Sequence, residues 1–376
     1  MTTCEALVQG APEHIRAIAP YLPGKPIAEL AREMGLEESG IVKLASNENP
    51  LGVSPRARVA VEAALGDLAR YPDGGGFELK QALSARLGVA PNRIVLGNGS
   101  NDVLEMAARA FLEPGASAVY SRYAFAVYPL AVQATGARGI ETPDRDWGHD
   151  LEAMLAAIRE DTRLVFIANP NNPTGTLLDG AALQEFVARV PARVGIVLDE
   201  AYFEYLPPDL QGDSLAWIDA HPNLMVTRTF SKAYGLAGLR LGYAVCHESV
   251  ADLLNRVRQP FNVNSLAQVA AVAALEDGDY LARGLRLNQE GMEQLTRGLD
   301  TLGVPYIPSR GNFLCCQVGK TGAEAVLVNR GLLERGVIVR PVANYGMPLH
   351  LRVSVGLPEE NARFLAALGQ VLGPGR

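Results

Sequence analysis

Between about Arg93 and Val245 the chain alternates two textures: short runs that are apolar at nearly every position, and stretches whose apolar residues recur every three or four positions. The runs are Ile94-Val95-Leu96, Ala118-Val119-Tyr120, Leu164-Val165-Phe166-Ile167-Ala168, Val194-Gly195-Ile196-Val197-Leu198, Met225-Val226-Thr227 and Leu241-Gly242-Tyr243-Ala244-Val245. Between them, Val103, Met106, Ala107 and Ala110 fall on one helical face, and Leu183, Phe186, Val187 and Val190 on another. Strands without a polar face are covered on both sides, and intervening helices supply the cover. The pattern predicts an α/β fold whose large domain holds a mostly parallel sheet covered by helices. After Pro260 the texture changes. Residues 266–300 are predicted to be helical, and Asn312-Phe313-Leu314, Val337-Ile338-Val339 and Leu351-Arg352-Val353-Ser354-Val355 are predicted strands of a smaller α+β domain. Residues 1–45, broken by Pro20, Pro23 and Pro26, read as an N-terminal arm and part of the small domain. The expected division is therefore 1–45, 46–265 and 266–376.

Composition narrows the function classes. A chain of 376 residues exceeds one typical domain. A net charge of −7 argues against nucleic-acid binding through a general basic surface, yet leaves room for a local anion pocket. Cys4, Cys246, Cys315 and Cys316 form no CxxC pair, so no disulfide framework is expected and a reducing cytosol is. Met1 to Gly10 contains Glu5 and no long apolar stretch, against a secretory signal. No apolar run approaches the ~18 residues of a membrane span. The five histidines show no metal-ligand spacing, so no metal is expected. Cys315 and Cys316 sit in an apolar strand as buried hydrophobes, and no GxSxG elbow marks a serine hydrolase.

In parallel sheets, ligands bind beyond the carboxyl ends of the strands, so the residues after each run matter most. Gly97-Asn98-Gly99-Ser100-Asn101-Asp102 follows the first run and opens a helix. Free N–H groups at such a start bind phosphate; a plain glycine turn is the alternative, and Asp102 stands where a dinucleotide fingerprint needs glycine. Asn169-Pro170-Asn171-Asn172-Pro173-Thr174-Gly175 has the composition of a turn, while Asn172 also offers an uncharged donor. Asp199 opens Asp199-Glu200-Ala201-Tyr202 either as a helix N-cap or as a buried carboxylate able to keep a pyridine nitrogen protonated. The last segment is Thr229-Phe230-Ser231-Lys232-Ala233-Tyr234-Gly235-Leu236-Ala237-Gly238-Leu239-Arg240. Only five of the chain's 34 basic residues are lysine, and one of them is here. An amine that must lose its proton to attack a carbonyl carbon cannot be replaced by a guanidinium. Read alone, Lys232 is a solvated surface lysine, as most lysines are. Its neighbours Thr229, Ser231 and Arg240 suit a phosphate, and a nucleophilic lysine suits an aldehyde; pyridoxal phosphate carries both groups.

Taken in order, these segments resemble the fold-type I pyridoxal-phosphate (PLP) aminotransferases over essentially the whole chain, and within them the histidinol-phosphate aminotransferase family. Ser46-Asn47-Glu48-Asn49-Pro50, Arg70-Tyr71-Pro72-Asp73, Gly99-Ser100-Asn101-Asp102, Asn171-Asn172-Pro173-Thr174-Gly175, Asp199-Glu200-Ala201-Tyr202, Phe230 to Arg240 and Leu351-Arg352-Val353-Ser354-Val355-Gly356 carry the resemblance. It implies transamination of histidinol phosphate with a 2-oxoglutarate/glutamate couple, in histidine biosynthesis, by a cytoplasmic homodimer using pyridoxal 5′-phosphate. Lys232 would bond the cofactor aldehyde and then shuttle the proton. Gly99, Ser100, Asn101, Thr229, Ser231 and Arg240 would hold the cofactor phosphate, joined by Tyr71 from the neighbouring subunit. Asp199, Asn172 and Tyr202 would hold the ring. Arg352 would pair with a substrate α-carboxylate, assisted by Asn312, while Tyr21 and Arg340 would address the distal phosphate; Asn47 either caps a turn or touches substrate.

Two departures from the family pattern stand out. Tyr123-Ala124-Phe125-Ala126-Val127-Tyr128 replaces a Pro-x-Tyr stretch; Phe125 aligns with the residue stacking on the pyridine, with Tyr123 as the rival. Arg340-Pro341-Val342-Ala343-Asn344-Tyr345-Gly346-Met347 is a proline-containing turn beside the distal pocket. The competing readings are an aromatic amino-acid aminotransferase of the same fold and a non-catalytic PLP-binding regulator, which the absence of a basic winged-helix segment before residue 45 disfavours. Small-molecule substrates are expected, with no nucleic acid and no membrane.

Overall fold

The computed structural model describes residues 3–21 and 24–373. Seven strands build the central sheet: β1 (Ile94–Gly97), β2 (Ser117–Ser121), β3 (Arg138–Thr142), β4 (Thr162–Ala168), β5 (Gly195–Asp199), β6 (Leu224–Thr229) and β7 (Gly242–Cys246). Their spatial order is β1-β7-β6-β5-β4-β2-β3. Only β7 runs against its neighbours, so the sheet is mostly parallel, as the apolar runs predict. Successive residues of each strand point to opposite faces. Val165, Ile167, Ile196 and Leu198 enter one core and Leu164, Phe166, Ala168 and Val197 the other. That two-sided burial is the physical reason these strands carry no polar alternation. The helix Ser100–Phe111 buries Val103, Met106 and Ala107, and Gly180–Arg189 buries Leu183, Phe186 and Val187.

The smaller unit contains β8 (Tyr306–Ile307), β9 (Phe313–Gln317), β10 (Arg340–Pro341) and β11 (His350–Ser354), in the order β8-β9-β11-β10, all antiparallel. Helices Gly278–Thr301, Gly322–Leu333 and Pro358–Leu372 contribute Leu295, Leu299, Val328, Leu332, Phe364 and Leu368 to its core. The N-terminal segment joins it: Val42–Lys43 pairs in parallel with Val337–Ile338, and Leu30 and Ala31 pack on Ile338. Further upstream, the segment instead touches the large unit, where Gln133 Nε2 donates to the His14 carbonyl at 3.3 Å.

One expected boundary moves. Residues 266–300 form two helices, Ser265–Leu275 and Gly278–Thr301. The first buries Ala267, Ala270, Ala271 and Ala274 in the core of the large sheet. Packing of the large domain therefore continues to residue 275, past the expected limit at 265.

The register of the sheet positions the site. Ala168 lies opposite Asp199, and Asp199 opposite Thr227, so β4, β5 and β6 end at nearly one level. The loops that follow emerge on one edge, facing β10 and β11. On the other side of β6, a Cβ on Gly242 would run into the backbone of Ser100 and Gly99. Glycine at 242 is what lets β7 lie against the start of the Ser100–Phe111 helix.

Candidate active site

A cavity at this edge is lined by Tyr21, Asn47, Ser100, Asn101, Phe125, Asn172, Asp199, Tyr202, Thr229, Ser231, Lys232, Arg240, Arg340 and Arg352, all expected from sequence, with Gly24, Ala45, Ser46, Ala168, Pro170 and Ala201 between them. At one end is an anion cradle. Ser100 and Asn101 begin a helix after Gly99, whose φ of 83° is open to glycine and disfavoured for other residues. The first N–H groups of that helix have no internal partner and attract negative charge. Arg240 packs so closely over Gly99 that a Cβ there would meet its guanidinium. Arg240 Nη1 donates to Ser231 Oγ at 3.3 Å, and the Ser231 N–H donates to Thr229 Oγ1 at 3.1 Å.

Lys232 sits between this cradle and the rest of the cavity. Its ammonium donates to the Ser46 carbonyl at 3.2 Å. Burial lowers its pKa from 10.5 to about 8, and the charges of Arg352 and Arg240 push the same way. A lysine so placed gives up its proton near neutrality, as nucleophilic and proton-shuttling amines require.

Opposite the cradle stands Asp199, 5 % exposed. It accepts from Tyr128 Oη at 2.8 Å and from Thr227 Oγ1 at 3.1 Å. Burial raises its pKa, and these two donors act against that rise. Tyr128 is fully buried and stacks on Phe166 with centroids 5.0 Å apart. Neither Tyr128 nor Thr227 was expected from sequence. The signal for Tyr128 was its three-residue offset from Phe125, which puts both on one side of a turn whose Tyr128 N–H donates to the Phe125 carbonyl. The signal for Thr227 was a polar residue two positions before Thr229 in an otherwise apolar strand. Phe125 lines the cavity, whereas Tyr123 stacks on Trp147 outside it, so the geometry favours Phe125 as the cavity wall.

Tyr202 receives its hydrogen bond from Asn47 Nδ2 at 2.9 Å, so its own hydroxyl hydrogen is free to face the cavity. Asn47 is held by Ser354: its N–H donates to Ser354 Oγ at 2.8 Å, and Ser354 Oγ donates back to Asn47 Oδ1 at 3.1 Å. Its φ of 53° is left-handed, a conformation asparagine tolerates better than most residues. Asn47 thus bridges the two units as well as lining the cavity. Arg352 donates to Asn172 Oδ1 at 2.6 Å and to the Ala45 carbonyl at 3.0 Å, and its Nε is buried without a partner. Arg340 lies directly across from it in the β10–β11 register and sits 5.5 Å from the Tyr21 ring centroid.

Three expected residues do not line the cavity. Gly99 acts through its backbone, as described. Asn312 donates to the carbonyls of Asn47 at 3.0 Å and Glu48 at 3.3 Å, so it fixes the segment that carries Asn47. Tyr71 is 83 % exposed and stacks on Phe261 at 4.8 Å, outside the cavity of its own chain.

The family model for class I and II aminotransferases matches residues 39–368. The histidinol-phosphate aminotransferase of Methylobacillus flagellatus is 62% identical over 96% of this chain and 97% of its own length. Histidinol-phosphate aminotransferase 2 of Pseudomonas aeruginosa is 60% identical over 95% and 96%. The crystal structure of the histidinol-phosphate aminotransferase from Sinorhizobium meliloti in complex with pyridoxal-5′-phosphate superposes with a TM-score of 0.89 at 32% identity, covering 96% of this chain and 97% of that one.

Two expectations follow from this geometry. Lys232 should react with an added aldehyde at a rate that climbs as pH rises through about 8 and levels off above it, because only the neutral amine attacks. A saturating dicarboxylate that neutralises Arg352 should move that midpoint upward; a midpoint near 10.5 would show that the site does not acidify Lys232. Replacing Tyr128 with Phe removes a donor to a buried carboxylate, worth ~1.5–3 kcal/mol. Asp199 should then ionise at higher pH, shifting the acid limb of the pH–rate profile upward by about one to two pH units. An unchanged profile would separate Asp199 from Tyr128.

Proposed function

The chain belongs to the class I and II aminotransferases, and we propose that it moves the amino group of histidinol phosphate to 2-oxoglutarate, giving glutamate, with pyridoxal 5′-phosphate as cofactor. The donor set suits that cofactor. A helix N-terminus with Ser231 and Arg240 would receive its phosphate, Asp199 its ring nitrogen, Asn172 and Tyr202 its ring oxygen, Phe125 its ring face and Lys232 its aldehyde, and all of these side chains line the one cavity. When bound, the cofactor supplies the electron sink for breaking a C–H bond next to nitrogen. The chain's own work is to hold Asp199 ionised against burial, to deliver Lys232 as a neutral amine that takes and returns the substrate proton, and to orient the substrate.

The observation that carries the substrate reading is the register pair Arg340–Arg352, two buried arginines directly opposite each other and both facing the cavity. Like charges at opposed strand positions repel, so the pocket is built for anions at two points. A dicarboxylate such as 2-oxoglutarate uses both points. Histidinol phosphate has a phosphate for Arg340 and no carboxylate for Arg352. Removing one charge-assisted contact costs ~1.5–3 kcal/mol, roughly tenfold to a hundredfold. Arg340→Ala should therefore impair histidinol phosphate and glutamate alike and phenylalanine little, while Arg352→Ala should impair glutamate and phenylalanine. A wild-type enzyme that turned over phenylalanine well and ignored histidinol phosphate would replace this reading with the aromatic one.

The same reading includes a cytoplasmic homodimer. Three of the four cysteines are buried and all four are free, which suits a reducing compartment; recovery in an oxidising compartment on cell fractionation would overturn this. The exposed Tyr71–Phe261 pair is an aromatic patch that a second copy would cover, placing Tyr71 near the phosphate cradle of its neighbour. Mixing Lys232→Ala subunits with Tyr71→Phe subunits should yield more activity than either parent, since one site in each hybrid then has both residues intact. No gain under conditions of demonstrated subunit exchange would count against shared sites.

A further inference from the structure

Trp147 stands where backbone chemistry disfavours a bulky residue. The strands Asp144–Arg145 and Gly148–His149 pair antiparallel, leaving Asp146 and Trp147 as a two-residue turn with φ of 50° and 67°. Turns of this kind favour Asn and Gly, because a left-handed backbone crowds Cβ against a carbonyl. A tryptophan gains nothing from such a backbone, so its role is read from what its ring touches. The backbone is pinned as well: the Trp147 N–H donates to Asp144 Oδ2 at 3.1 Å.

The ring lies between the two structural units. It stacks on Tyr123 with centroids 5.2 Å apart and planes at 29°, and meets His350 edge-on at 5.1 Å and 67°. Tyr123 belongs to the large unit, two residues before the cavity wall Phe125. Its carbonyl accepts from Asn171 Nδ2 at 2.9 Å, and the next residue, Asn172, accepts from Arg352 Nη1 at 2.6 Å. His350 belongs to β11 of the small unit, two residues before Arg352 and on the same face of the strand. Trp147 therefore touches the supports on both sides of the Arg352–Asn172 hydrogen bond. Ile307, Cys315, Val342 and Met347 complete the surrounding apolar cluster, and the Arg122 guanidinium lies 5.7 Å from the Tyr123 ring centroid.

We propose that Trp147 is a positioning residue for Arg352: its ring sets the spacing between β11 and the Asn171–Asn172 loop, and so the height at which the guanidinium meets a substrate carboxylate. This rests on the reading of Arg352 as the carboxylate clamp. A loosened clamp weakens carboxylate substrates and spares a substrate without a carboxylate, whereas general damage to the fold weakens both.

The test uses the holoenzyme with Trp147→Gly, which relaxes the turn and deletes the ring, and Trp147→Phe, which keeps an aromatic plane. In Trp147→Gly, the KM and the thermal-shift Kd for 2-oxoglutarate should rise about tenfold, and kcat/KM in the half-reaction with histidinol phosphate should stay within about twofold of wild type. Trp147→Phe should recover most of the 2-oxoglutarate affinity. If the glycine variant does not fold, Trp147→Leu, which keeps apolar bulk without the flat ring, carries the same expectation. Unchanged 2-oxoglutarate affinity, or equal losses with both substrates, would overturn the proposal. A wild-type enzyme that binds 2-oxoglutarate but does not accept histidinol phosphate would sink the substrate reading, and the 2-oxoglutarate Kd of the variants would still decide the role of Trp147.

Discussion

Repulsion among cations gathered in one cavity is the constraint on which the site depends. Lys232, Arg240, Arg340 and Arg352 all line it, and Asp199 is the one carboxylate among the lining residues. Guanidinium groups do not shed protons at accessible pH, so the group that yields is the lysine. Burial and the nearby Arg352 and Arg240 bring Lys232 to about 8. The arginine field that adds to burial in lowering the lysine's pKa, against the opposing charges of Glu48 and Asp199, also makes the cavity receptive to anions. An anion seated on Arg352 cancels part of that field and restores the lysine's affinity for a proton. Arrival of a carboxylate substrate therefore favours the protonation change that a proton shuttle needs, with no moving part beyond the ligand.

Holding like charges together requires a scaffold that does not relax. On one side, the almost wholly buried strands β4, β5 and β6 fix the positions of Asn169, Asp199 and the Thr229–Lys232 segment at their carboxyl ends. On the other, β11 is central in its sheet, between β9 and β10. The two halves meet through small, directed contacts. Cys315 Sγ approaches the Pro173 carbonyl at 3.0 Å, the Arg310 N–H donates to the Gly175 carbonyl at 2.8 Å, and Asn47 joins Ser354 to Tyr202. At Gly175 the approach is so close that a Cβ would collide with Ser309, and its φ of 80° independently favours glycine. The Asn-Pro-Thr-Gly segment is thus a docking surface for the small unit as much as a ligand-holding loop.

What could be read from sequence follows from which features leave a one-dimensional trace. Continuous apolar runs mark two-sided burial, so six strands of the large sheet and the loops beyond them were legible, whereas the edge strand β3, exposed at Arg138, Gly139 and Glu141, left no such run. The boundary near residue 265 was not legible either. In Ser265–Leu275 the buried alanines recur at helical spacing, but Leu266, Val269 and Val272 fill the other positions, so no polar contrast shows which core the helix faces. Tyr128 and Thr227 escaped because their partner, Asp199, is distant in sequence and reaches them only through packing and strand register. Asn312 was placed beside Arg352 only by the family resemblance, with no trace of its own in the local sequence. Its amide instead meets carbonyls of a segment more than 250 residues away in sequence. The turn at Asp146 and Trp147 lacks the Asn-Gly signature that would have announced it.

The neutrality of Arg352's partners explains how one pocket accommodates ligands of different charge. A carboxylate partner would have to be displaced by each incoming substrate carboxylate, and would leave little net charge for it. Asn172 and the Ala45 carbonyl orient the guanidinium and leave its full positive charge available. They also keep it in place when a ligand brings no carboxylate. The arrangement has a second effect on Asn172. An arginine has donors only, so the amide oxygen must face Arg352 and the NH2 group must face elsewhere. With Asn172 lining the cavity, that leaves its donors for an acceptor atom held inside. One hydrogen bond of 2.6 Å thus aligns the guanidinium and fixes which end of the Asn172 amide faces the cavity.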